Sequence, residues 1–401
     1  MMIKESKKSN IKPGYKKTSI GIIPEDWEEM RLEQVSKIIM GVSPNSENYN
    51  FEGQGKFLIQ GNADIRNRKS APRQYTSEIT KECQVGDILM SVRAPVGEIA
   101  KSIHNACIGR GVCAIRNNKK ADGEFLFYYL LNTEVLWSRF KQGSTFESVN
   151  STDIRNFTIQ IPPIQEQKAI ADCLSTWDKG IEKLSALIAS KKEQKKGLMQ
   201  QLLTGKKRLD GFTEEWEEVK LEDLAEYRRG SFPQPYGLAK WYDDNGMPFI
   251  QVYDVDDNFK LKEDTKRKIS DLAAEKSIFV PKGTLIITIQ GSIGRLAITD
   301  YDAYMDRTLL LFTRFKKQVN KYFIMYQLYR LFQIEKERAP GGTIKTITIR
   351  VLSKFTINIT SIEEQNTIAG ILNIADKEIE LLEKKLEAFK IQKKGLMQVL
   401  L

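Results

Sequence analysis

The sequence predicts an α+β fold in which two similar mixed α/β domains are separated by two long antiparallel coiled-coil helices, with a pseudo-twofold internal repeat. The heptapeptide QKKGLMQ occurs at 194–200 and again at 392–398. The surrounding segments, 161–203 and 359–401, are identical at 22 of 43 positions without a gap. Within both segments, apolar residues recur at alternating intervals of four and three, which is typical of a coiled coil.

The repeat extends through the whole chain. WEEMRLEQV, which begins at Trp27, parallels WEEVKLEDL, which begins at Trp216. The offset between the copies grows from 189 to 198, which indicates small insertions in surface loops. A chain of 401 residues is also too long for one ordinary core. We therefore predict a basic extension over 1–17, globular domains over 18–160 and 206–358, a central helix over 161–205 and a C-terminal helix over 359–401.

Each predicted helix carries an apolar seam, interrupted by Lys191, Lys195 and Lys393. We expect the two seams to pack against each other in antiparallel orientation. The alternative is that each helix packs only on its own domain. The predicted seam consists of Ile170, Leu174, Trp177, Ile181, Leu184, Ile188, Leu198, Leu372, Ile379, Leu382, Leu386, Phe389 and Leu396.

The globular domains show short strand patterns and one helical pattern each. Strands are predicted at 57–60, 87–92, 111–116 and 156–161, where β-branched and other apolar residues cluster. Helices are predicted at 123–142 and 321–338. Their tyrosine, phenylalanine and leucine side chains are expected to form core.

The composition favours a polyanionic partner. The formal net charge is +10, and residues 1–17, with six lysines and one glutamate, contribute +5 of it. Such a balance favours nucleic acid, although simple solubility is the alternative. Four cysteines without a CxxC pair, and a single histidine, His104, predict reduced thiols in a cytoplasm and no metal site.

Catalytic motifs are missing from the sequence. There is no GxxxxGK[ST] phosphate loop and no GxGxxG. The IPPI segment at 161–164 lacks the amide that an adenine methyltransferase would place before the prolines. We therefore expect a non-catalytic protein without a cofactor.

The segments IPEDWE, IPPIQEQKAIA and QKKGLMQ resemble the specificity (S) subunit of type I restriction–modification enzymes. The resemblance implies two target-recognition domains, each reading half of a bipartite double-stranded DNA target, and two helices that set the gap. It also implies two methyltransferase (M) subunits and two restriction (R) subunits bound through the M–S core. S-adenosylmethionine, ATP and Mg are implied only for those partners. The second copy departs from the pattern, with ITSIEEQ in place of IPPIQEQ.

The duplication suggests how to divide residues between partner contacts and DNA contacts. Positions identical in both copies suit two identical M subunits, and differing loop positions suit two different half-sites. Arg93 and Gln290 occupy matching positions, and arginine suits a guanine edge whereas glutamine suits an adenine edge. For a single arginine or lysine, a phosphate contact is the alternative. The expected DNA contacts are Arg66, Arg68, Lys69, Arg73, Arg93, Lys141, Ser144, Arg228, Arg229, Lys240, Tyr253, Gln290 and Lys345. The expected partner contacts are Glu166, Gln167, Lys196, Gly197, Met199, Glu364, Gln365, Lys394, Gly395 and Met397.

Two other readings remain open from the sequence. One is a free-standing, sequence-specific DNA-binding protein of the same fold that acts without M subunits. The other is a coiled-coil assembly protein with no nucleic-acid role, which would show no salt-dependent affinity for DNA.

Overall fold

The structure is a computed structural model that describes residues 11–137, 148–338 and 347–401. It divides into two compact units. Unit 1 comprises Met1–Leu184 with Lys385–Leu401, and unit 2 comprises Ser185–Lys384. Each unit therefore combines one globular domain with a segment of each long helix.

Unit 1 is built mainly from short strands. Its helices are α1 (Leu32–Val35), α2 (Gly123–Asn132), α3 (Glu134–Trp137), α4 (Ser151–Arg155) and the first part of α5 (Ile164–Leu202). Its strands are β1 (Tyr15–Thr18), β2 (Gly21–Pro24), β3 (Glu28–Arg31), β4 (Ser36–Met40), β5 (Tyr49–Asn50), β6 (Lys56–Ile59), β7 (Ile65–Arg66), β8 (Lys69–Ser70), β9 (Gln74–Thr76), β10 (Glu82–Cys83), β11 (Ile88–Ser91), β12 (Ile99–Lys101), β13 (Ala106–Ile108), β14 (Val112–Asn117) and β15 (Thr158–Ile161).

Unit 2 repeats this plan with fewer strands in the described residues. Its helices are α6 (Leu221–Leu224), α7 (Asp271–Ala274), α8 (Lys321–Arg338), α9 (Ile349–Leu352) and the first part of α10 (Ile362–Leu400). Its strands are β16 (Glu217–Lys220), β17 (Ala225–Arg229), β18 (Tyr242–Ile250), β19 (Arg267–Ile269), β20 (Ile278–Val280), β21 (Leu285–Thr288), β22 (Leu296–Ile298), β23 (Ala303–Met305), β24 (Leu309–Phe315) and β25 (Thr356–Ile359).

The sheets of the two units correspond to each other. Unit 1 has sheets in the orders β4-β14-β11-β12-β8-β7 and β10-β13-β6-β9-β5, and unit 2 has β17-β24-β21-β22 and β19-β18-β23-β20. In both, the middle strand β11 or β21 pairs antiparallel with both neighbours. One parallel pair also recurs, β6 with β13 and β18 with β23. The strand patterns predicted from the sequence are thus confirmed.

A small two-stranded sheet precedes each long helix. β15 pairs with β3, placing Thr158 opposite Arg31, and β25 pairs with β16, placing Thr356 opposite Lys220. Each pair joins the two chain ends of a globular domain just before a long helix starts. The helix starts themselves, Ile164 and Ile362, lie three residues inside the predicted segments.

The aromatic helices form the core of each unit, as predicted. In unit 1, Phe125, Tyr128 and Tyr129 of α2 are buried. The sequence prediction of one helix over 123–142 is wrong, because α2 ends at Asn132 and the described part of α3 ends at Trp137. The Thr133 amide and hydroxyl both donate to the carbonyl oxygen of Tyr129, at 3.0 and 2.9 Å, at the C-terminal end of α2. Residues 138–142 lie outside the described residues.

Both ends of the long helices contribute to the cores. In unit 1, Leu174 of α5 and Met397 of α10 belong to one buried cluster. In unit 2, Leu372 of α10 and Met199 of α5 belong to the equivalent cluster. The alternative that each helix packs only on its own domain is therefore wrong, because the last turns of each helix pack in the unit of the other domain.

The two long helices run antiparallel within each unit. In unit 1, Asp178 Oδ1 lies 2.6 Å from Lys393 Nζ, and a Cβ on Gly180 would lie 3.7 Å from Cε2 of Phe389. In unit 2, ion pairs join Lys191 to Glu378 and Lys192 to Glu383, both at 2.7 Å. The predicted seam residues are all buried or half-buried.

Candidate nucleic-acid interface

The middle strands β11 and β21 end in the same type of turn. In unit 1, Ser91 Oγ accepts a hydrogen bond from the amide of Glu98 at 2.9 Å. In unit 2, Thr288 Oγ1 accepts from the amide of Arg295 at 3.0 Å. A hydroxyl residue at the end of each strand thus holds an equivalent loop.

Arg93 and Gln290 lie at the start of these two turns. Each is two residues beyond the end of its strand, and they are 197 positions apart in the sequence. Arg93 is exposed and its backbone forms a bridge with Ser148, whereas Gln290 is half-buried. The same backbone position therefore offers a guanidinium in one unit and an amide in the other.

Two further loops of unit 1 lie beside the Arg93 turn. The amide of Val92 donates to the carbonyl oxygen of Gly111 at 2.9 Å. The amide of Gly109 donates to the carbonyl oxygen of Ile59 at 2.8 Å. We call residues 60–64, 92–97 and 109–111 the loop edge of unit 1, since these hydrogen bonds join the three strand ends at one place.

Unit 2 has the equivalent arrangement. The amide of Ile289 donates to Thr308 O at 2.9 Å, and the amide of Asp306 donates to Ile250 O at 3.0 Å. We call residues 251–254, 289–294 and 306–308 the loop edge of unit 2. Such a row of loop ends on a rigid sheet is a usual site for recognition residues.

An aromatic and polar cluster lies at the loop edge of unit 2. The Tyr236 hydroxyl donates to Asp306 Oδ2 and accepts from Gln251 Nε2 at 3.0 Å. The Tyr253 hydroxyl donates to Gln251 Oε1. The Arg307 guanidinium lies 5.9 Å from the centre of the Tyr236 ring. These bonds fix the orientation of the amide, which is a side chain suited to base edges.

The titration behaviour of Tyr236 fits this role. Burial, and next its hydrogen bond to Asp306, raise the pKa of Tyr236 well above its ordinary value. The phenol therefore keeps its proton, which it donates to Asp306, and its oxygen accepts from Gln251. The position equivalent to Asp306 in unit 1 is Gly109, so the cluster belongs to one unit alone.

The DNA contacts expected in unit 1 differ in the partners that their side chains have. Arg66 and Arg93 are exposed. Arg68 is also exposed, and its guanidinium donates to Glu134 Oε2 at 2.9 Å and to the Ile99 carbonyl oxygen at 3.1 Å. These bonds orient Arg68, and its contact with DNA stays a prediction. Lys141 and Ser144 lie outside the described residues.

Two other basic residues of unit 1 are engaged in ion pairs. Arg73 Nε lies 3.0 Å from Asp64 Oδ1 at the loop edge. Lys69 Nζ lies 3.6 Å from Glu182 Oε1 on α5, and both side chains are more than half exposed. Arg73 is therefore placed next to the loop edge, whereas Lys69 faces the long helix.

The residues expected in unit 2 lie in several places. Arg228 is exposed and Arg229 is half-buried at the end of β17. Tyr253 and Gln290 belong to the loop edge. Lys240 is exposed, with Nζ 4.5 Å from the centre of the Trp241 ring. Lys345 lies outside the described residues.

Sequence reasoning missed several residues of the loop edges. Arg110 and Arg307 are exposed at equivalent positions, and Gln60 and Gln251 are equivalent half-buried residues after β6 and β18. A signal was present, because the sequence repeat aligns an arginine with an arginine and a glutamine with a glutamine after matching strands. The cluster around Tyr236 had no such signal, because only the fold brings its members together.

Several expected partner contacts are instead internal. Gln167, Glu364 and Gln365 are each 1% exposed. Gln167 Nε2 donates to Pro162 O at 2.8 Å, and Gln365 Nε2 donates to Thr360 O at 2.7 Å. The expectation that these side chains bind a partner is therefore wrong.

The two methionines and Glu166 also face inward. Met199 is 6% exposed and Met397 is 8% exposed, each within a core cluster. Glu166 is half-buried and accepts from Trp27 Nε1 at 3.2 Å. Met199 and Met397 are therefore core residues rather than surface contacts, because their side chains fill the ends of the two cores.

The expected partner contacts that remain at the surface form two matching pairs. Lys196 and Lys394 are exposed. Gly197 and Gly395 lie inside intact helix, and a Cβ on either would meet nothing within 4 Å. A fraying helix end does not explain these glycines, which cost about 1 kcal/mol each relative to alanine.

The described residues show no other chemical centre. In the ranges 11–137, 148–338 and 347–401, no group of three or more acidic, cysteine or histidine side chains could hold a metal ion. Among those same residues, no helix has the length and apolar character to cross a membrane. Burial raises the pKa of the Cys113 thiol to about 12. His104 Nδ1 lies 2.8 Å from Ser70 Oγ, which indicates a structural role.

Comparisons with known proteins agree with the internal repeat. The model of the type I restriction modification DNA specificity domain matches residues 24–190 and 213–390. The MjaVIII specificity subunit of a type I restriction enzyme from Methanocaldococcus jannaschii is 26% identical over 401 residues, covering 94% of this chain and 93% of that protein.

Two further similarities cover different shares of the chain. A candidate MjaX specificity subunit from the same organism is 43% identical over 202 residues, which is 49% of this chain and 47% of that protein. The crystal structure of an S subunit from M. genitalium superposes with a TM-score of 0.60 at 16% identity, covering 93% of this chain and 96% of that one. The second similarity supports the fold.

Proposed function

Because the chain belongs to the family of type I restriction modification DNA specificity domains, we propose that it is a specificity subunit that binds double-stranded DNA at a defined sequence. The two loop edges are the recognition surfaces. The observation that carries the proposal is the pair Arg93 and Gln290, which present different base-reading groups from one backbone position. An arginine forms two hydrogen bonds to guanine and a glutamine forms two to adenine.

The target is bipartite, with one half-site for each globular domain. Arg93, Arg110 and Gln60 serve the first half-site, and Gln290, Gln251 and Arg307 serve the second. Arg66 and Arg228, which are exposed, suit phosphate contacts that fix the position of each domain without reading sequence. The 39 residues of each long helix, about 58 Å of helix, set the gap of unread base pairs.

The chain acts as a non-catalytic scaffold for other subunits. Two M subunits bind two equivalent surfaces, one with Lys196 and Gly197 and the other with Lys394 and Gly395. Both lysines are exposed. A Cβ on either glycine would meet nothing within 4 Å, so another chain can approach closely. Two R subunits join through the M–S core. S-adenosylmethionine, ATP and Mg then belong to those partners, and the assembly works in the cytoplasm.

The test of the assembly is co-expression with a candidate M subunit from the same genome, followed by mass measurement. The proposal expects one chain with two M subunits and sequence-specific DNA binding by that complex. A chain that stays free of M subunits and binds the same sequence alone would favour a free-standing DNA-binding protein. A complex without salt-dependent affinity for DNA would favour the coiled-coil assembly protein.

The test of the bipartite reading is a domain exchange. Residues 18–160 are replaced by the corresponding domain of another family member. The proposal expects one half-site to change while the other half-site and the gap stay the same. A change of both half-sites would contradict it.

A further inference from the structure

Each long helix contributes a lysine to the seam where it meets an aspartate of the other helix. Lys393 Nζ of α10 lies 2.6 Å from Asp178 Oδ1 of α5 in unit 1. Lys195 of α5 pairs with Asp376 Oδ1 of α10 in unit 2. The lysine side chains are 13% and 10% exposed. The interruptions of the apolar seam at Lys195 and Lys393 therefore have specific partners.

A tyrosine from the globular domain completes each pair. The Tyr128 hydroxyl donates to Asp178 Oδ2 at 2.7 Å, and the Tyr326 hydroxyl donates to Asp376 Oδ2 at 2.6 Å. Each lysine Nζ lies 5.1 Å from the centre of its tyrosine ring. We call these the Tyr–Asp–Lys clusters. Each one joins a domain helix, an early segment of one long helix and a late segment of the other.

The clusters are exact counterparts in the repeat, since each member is 198 positions from its equivalent. The lysines lie within the apolar seam, whereas the side chains of Asp178 and Asp376 are 44% and 30% exposed. In unit 2 the Tyr326 hydroxyl also lies 2.8 Å from Asn373 Oδ1.

In unit 2 the seam residues nearest to Asp376 along α10 are Leu372 and Ile379, both buried. A slip of about one turn in one direction would place the Lys195 ammonium beside Leu372. A slip in the other direction would place it beside Ile379 and Glu380, whose carboxylate already pairs with Lys260 at 2.6 Å.

Stability alone does not explain such a group. Burial lowers the pKa of Lys195, and Asp376 opposes this effect only in part. A buried ion pair is often no more stabilising than apolar residues of similar size. A polar group within an apolar seam is best known for selecting one register at some cost in stability. The two lysines have the burial, and the two ion pairs have the complementary charges, that this role requires.

We propose that the two Tyr–Asp–Lys clusters select the axial register of the long helices and thereby fix the gap length of the DNA target. The statement about the gap rests on the proposed function, whereas the statement about the register does not. Lys192 makes a comparable ion pair with Glu383, but its side chain is 53% exposed. That pair should contribute little to register, because water can replace the missing partner.

The test uses a variant in which both clusters lose their charges, K195M, K393M, D178N and D376N. Asparagine keeps an acceptor for each tyrosine, so the fold should be retained, with a thermal midpoint equal to or above that of the parent. The control is K192M. Register is measured in the full-length chain with C173S as background, since Cys173 is exposed whereas the other three cysteines are buried.

Two cysteine pairs report the register within unit 2. K191C with E378C reports the observed register, and K191C with L382C reports a register shifted by one turn; both are treated with a short bismaleimide. We expect the parent and K192M to cross-link the first pair at least tenfold faster than the second. The uncharged variant should lose that preference. An unchanged preference in the uncharged variant overturns the proposed register selection.

Gap selectivity is then measured on the complex with M subunits. DNA duplexes carry both half-sites with gaps up to two base pairs shorter or longer than the natural gap. The parent should prefer its own gap at least tenfold, and the uncharged variant should lose most of this preference. If the helices of the uncharged variant slip but its complex still prefers the natural gap, the helix register does not fix the gap length. If the parent complex binds none of the duplexes, the proposed function fails, and the cross-linking still decides the register.

Discussion

Arg93 and Gln290 occupy one backbone position in two copies of the same turn, each two residues beyond the end of a middle strand. The hydroxyl residues that hold the two turns, Ser91 and Thr288, are themselves equivalent. The backbone of this turn is therefore equivalent in the two copies, whereas the side chain that the turn presents is different. This is the relation expected of a protein that reads two different half-sites with one fold.

Replacing Arg93 with alanine should relax recognition at one base pair of the first half-site. A bidentate arginine–guanine contact discriminates by about 1–3 kcal/mol, so competition between targets that differ at that base pair should change by about 5- to 150-fold. The control is Arg66→Ala, an exposed residue expected to contact phosphate. If Arg93→Ala instead weakens binding equally for all DNA sequences, Arg93 contacts the DNA backbone rather than a base.

Replacing Tyr236 with phenylalanine should reduce discrimination at the second half-site only. The variant removes the hydroxyl that joins Gln251 to Asp306, so the amide of Gln251 loses one of its constraints. Binding competition with single-base variants of each half-site measures the effect. Tyr301→Phe is the matched control, because its hydroxyl donates to the Lys262 carbonyl oxygen outside the cluster. Loss at the first half-site would contradict the assignment.

The equivalent glutamates Glu166 and Glu364 have different partners in the two copies of the repeat. Glu364 is 1% exposed and accepts from Trp216 Nε1 at 3.2 Å and from Arg208 Nη2 at 3.0 Å. Glu364→Ala leaves the Arg208 guanidinium without its carboxylate and should cost about 3 kcal/mol of folding free energy.

The matched control for Glu364→Ala is Glu166→Ala. Glu166 is half-buried and accepts from Trp27 Nε1, so its loss should cost about 1 kcal/mol. The two variants are compared by denaturant unfolding, which is monitored with one spectroscopic probe in each unit. Equal costs would show that the Arg208 contact contributes nothing.

Glu380 should contribute a pH-dependent part of the stability of unit 2. Hydrogen bonds from Lys260 and then Lys384 lower its pKa from 4.5 to about 2. Since the folded pKa is below the unfolded value, the contribution is complete above pH 4.5 and is lost as the pH falls towards 2. The side chain is 33% exposed, so the contribution should stay below about 1 kcal/mol.

The measurement is the difference in unfolding free energy between the parent and Glu380→Gln at several pH values. The difference should be constant between pH 5 and 7 and should shrink below pH 4.5. Glu182→Gln is the control, because its equivalent contact with Lys69 is longer, at 3.6 Å. A difference that grows on acidification would contradict the assigned sign.

The sequence predicted the frame well because the repeat and the apolar spacing report directly on topology. The long helices, the middle strands and the antiparallel seam all follow from such local or periodic signals. The break at Thr133 escaped prediction because the apolar pattern of α2 continues into α3, and only the local bonds of Thr133 mark the end of the helix.

Side-chain roles were harder to predict, for a physical reason. Identity between the copies marks any residue that makes a duplicated contact, whether that contact is internal or with a partner. Gln167 and Gln365 are identical because each bonds to the backbone within its own unit, whereas Lys196 and Lys394 are identical and exposed. Burial distinguishes these two cases, and a single sequence has no pattern that shows which polar residues are buried.

The most direct test of the central claim is the genome-wide pattern of methylated adenine in cells that express this chain with its M subunit. The account predicts one bipartite sequence, with two different half-sites and a gap of constant length. A continuous target, or methylation at half-sites without a fixed gap, would contradict it.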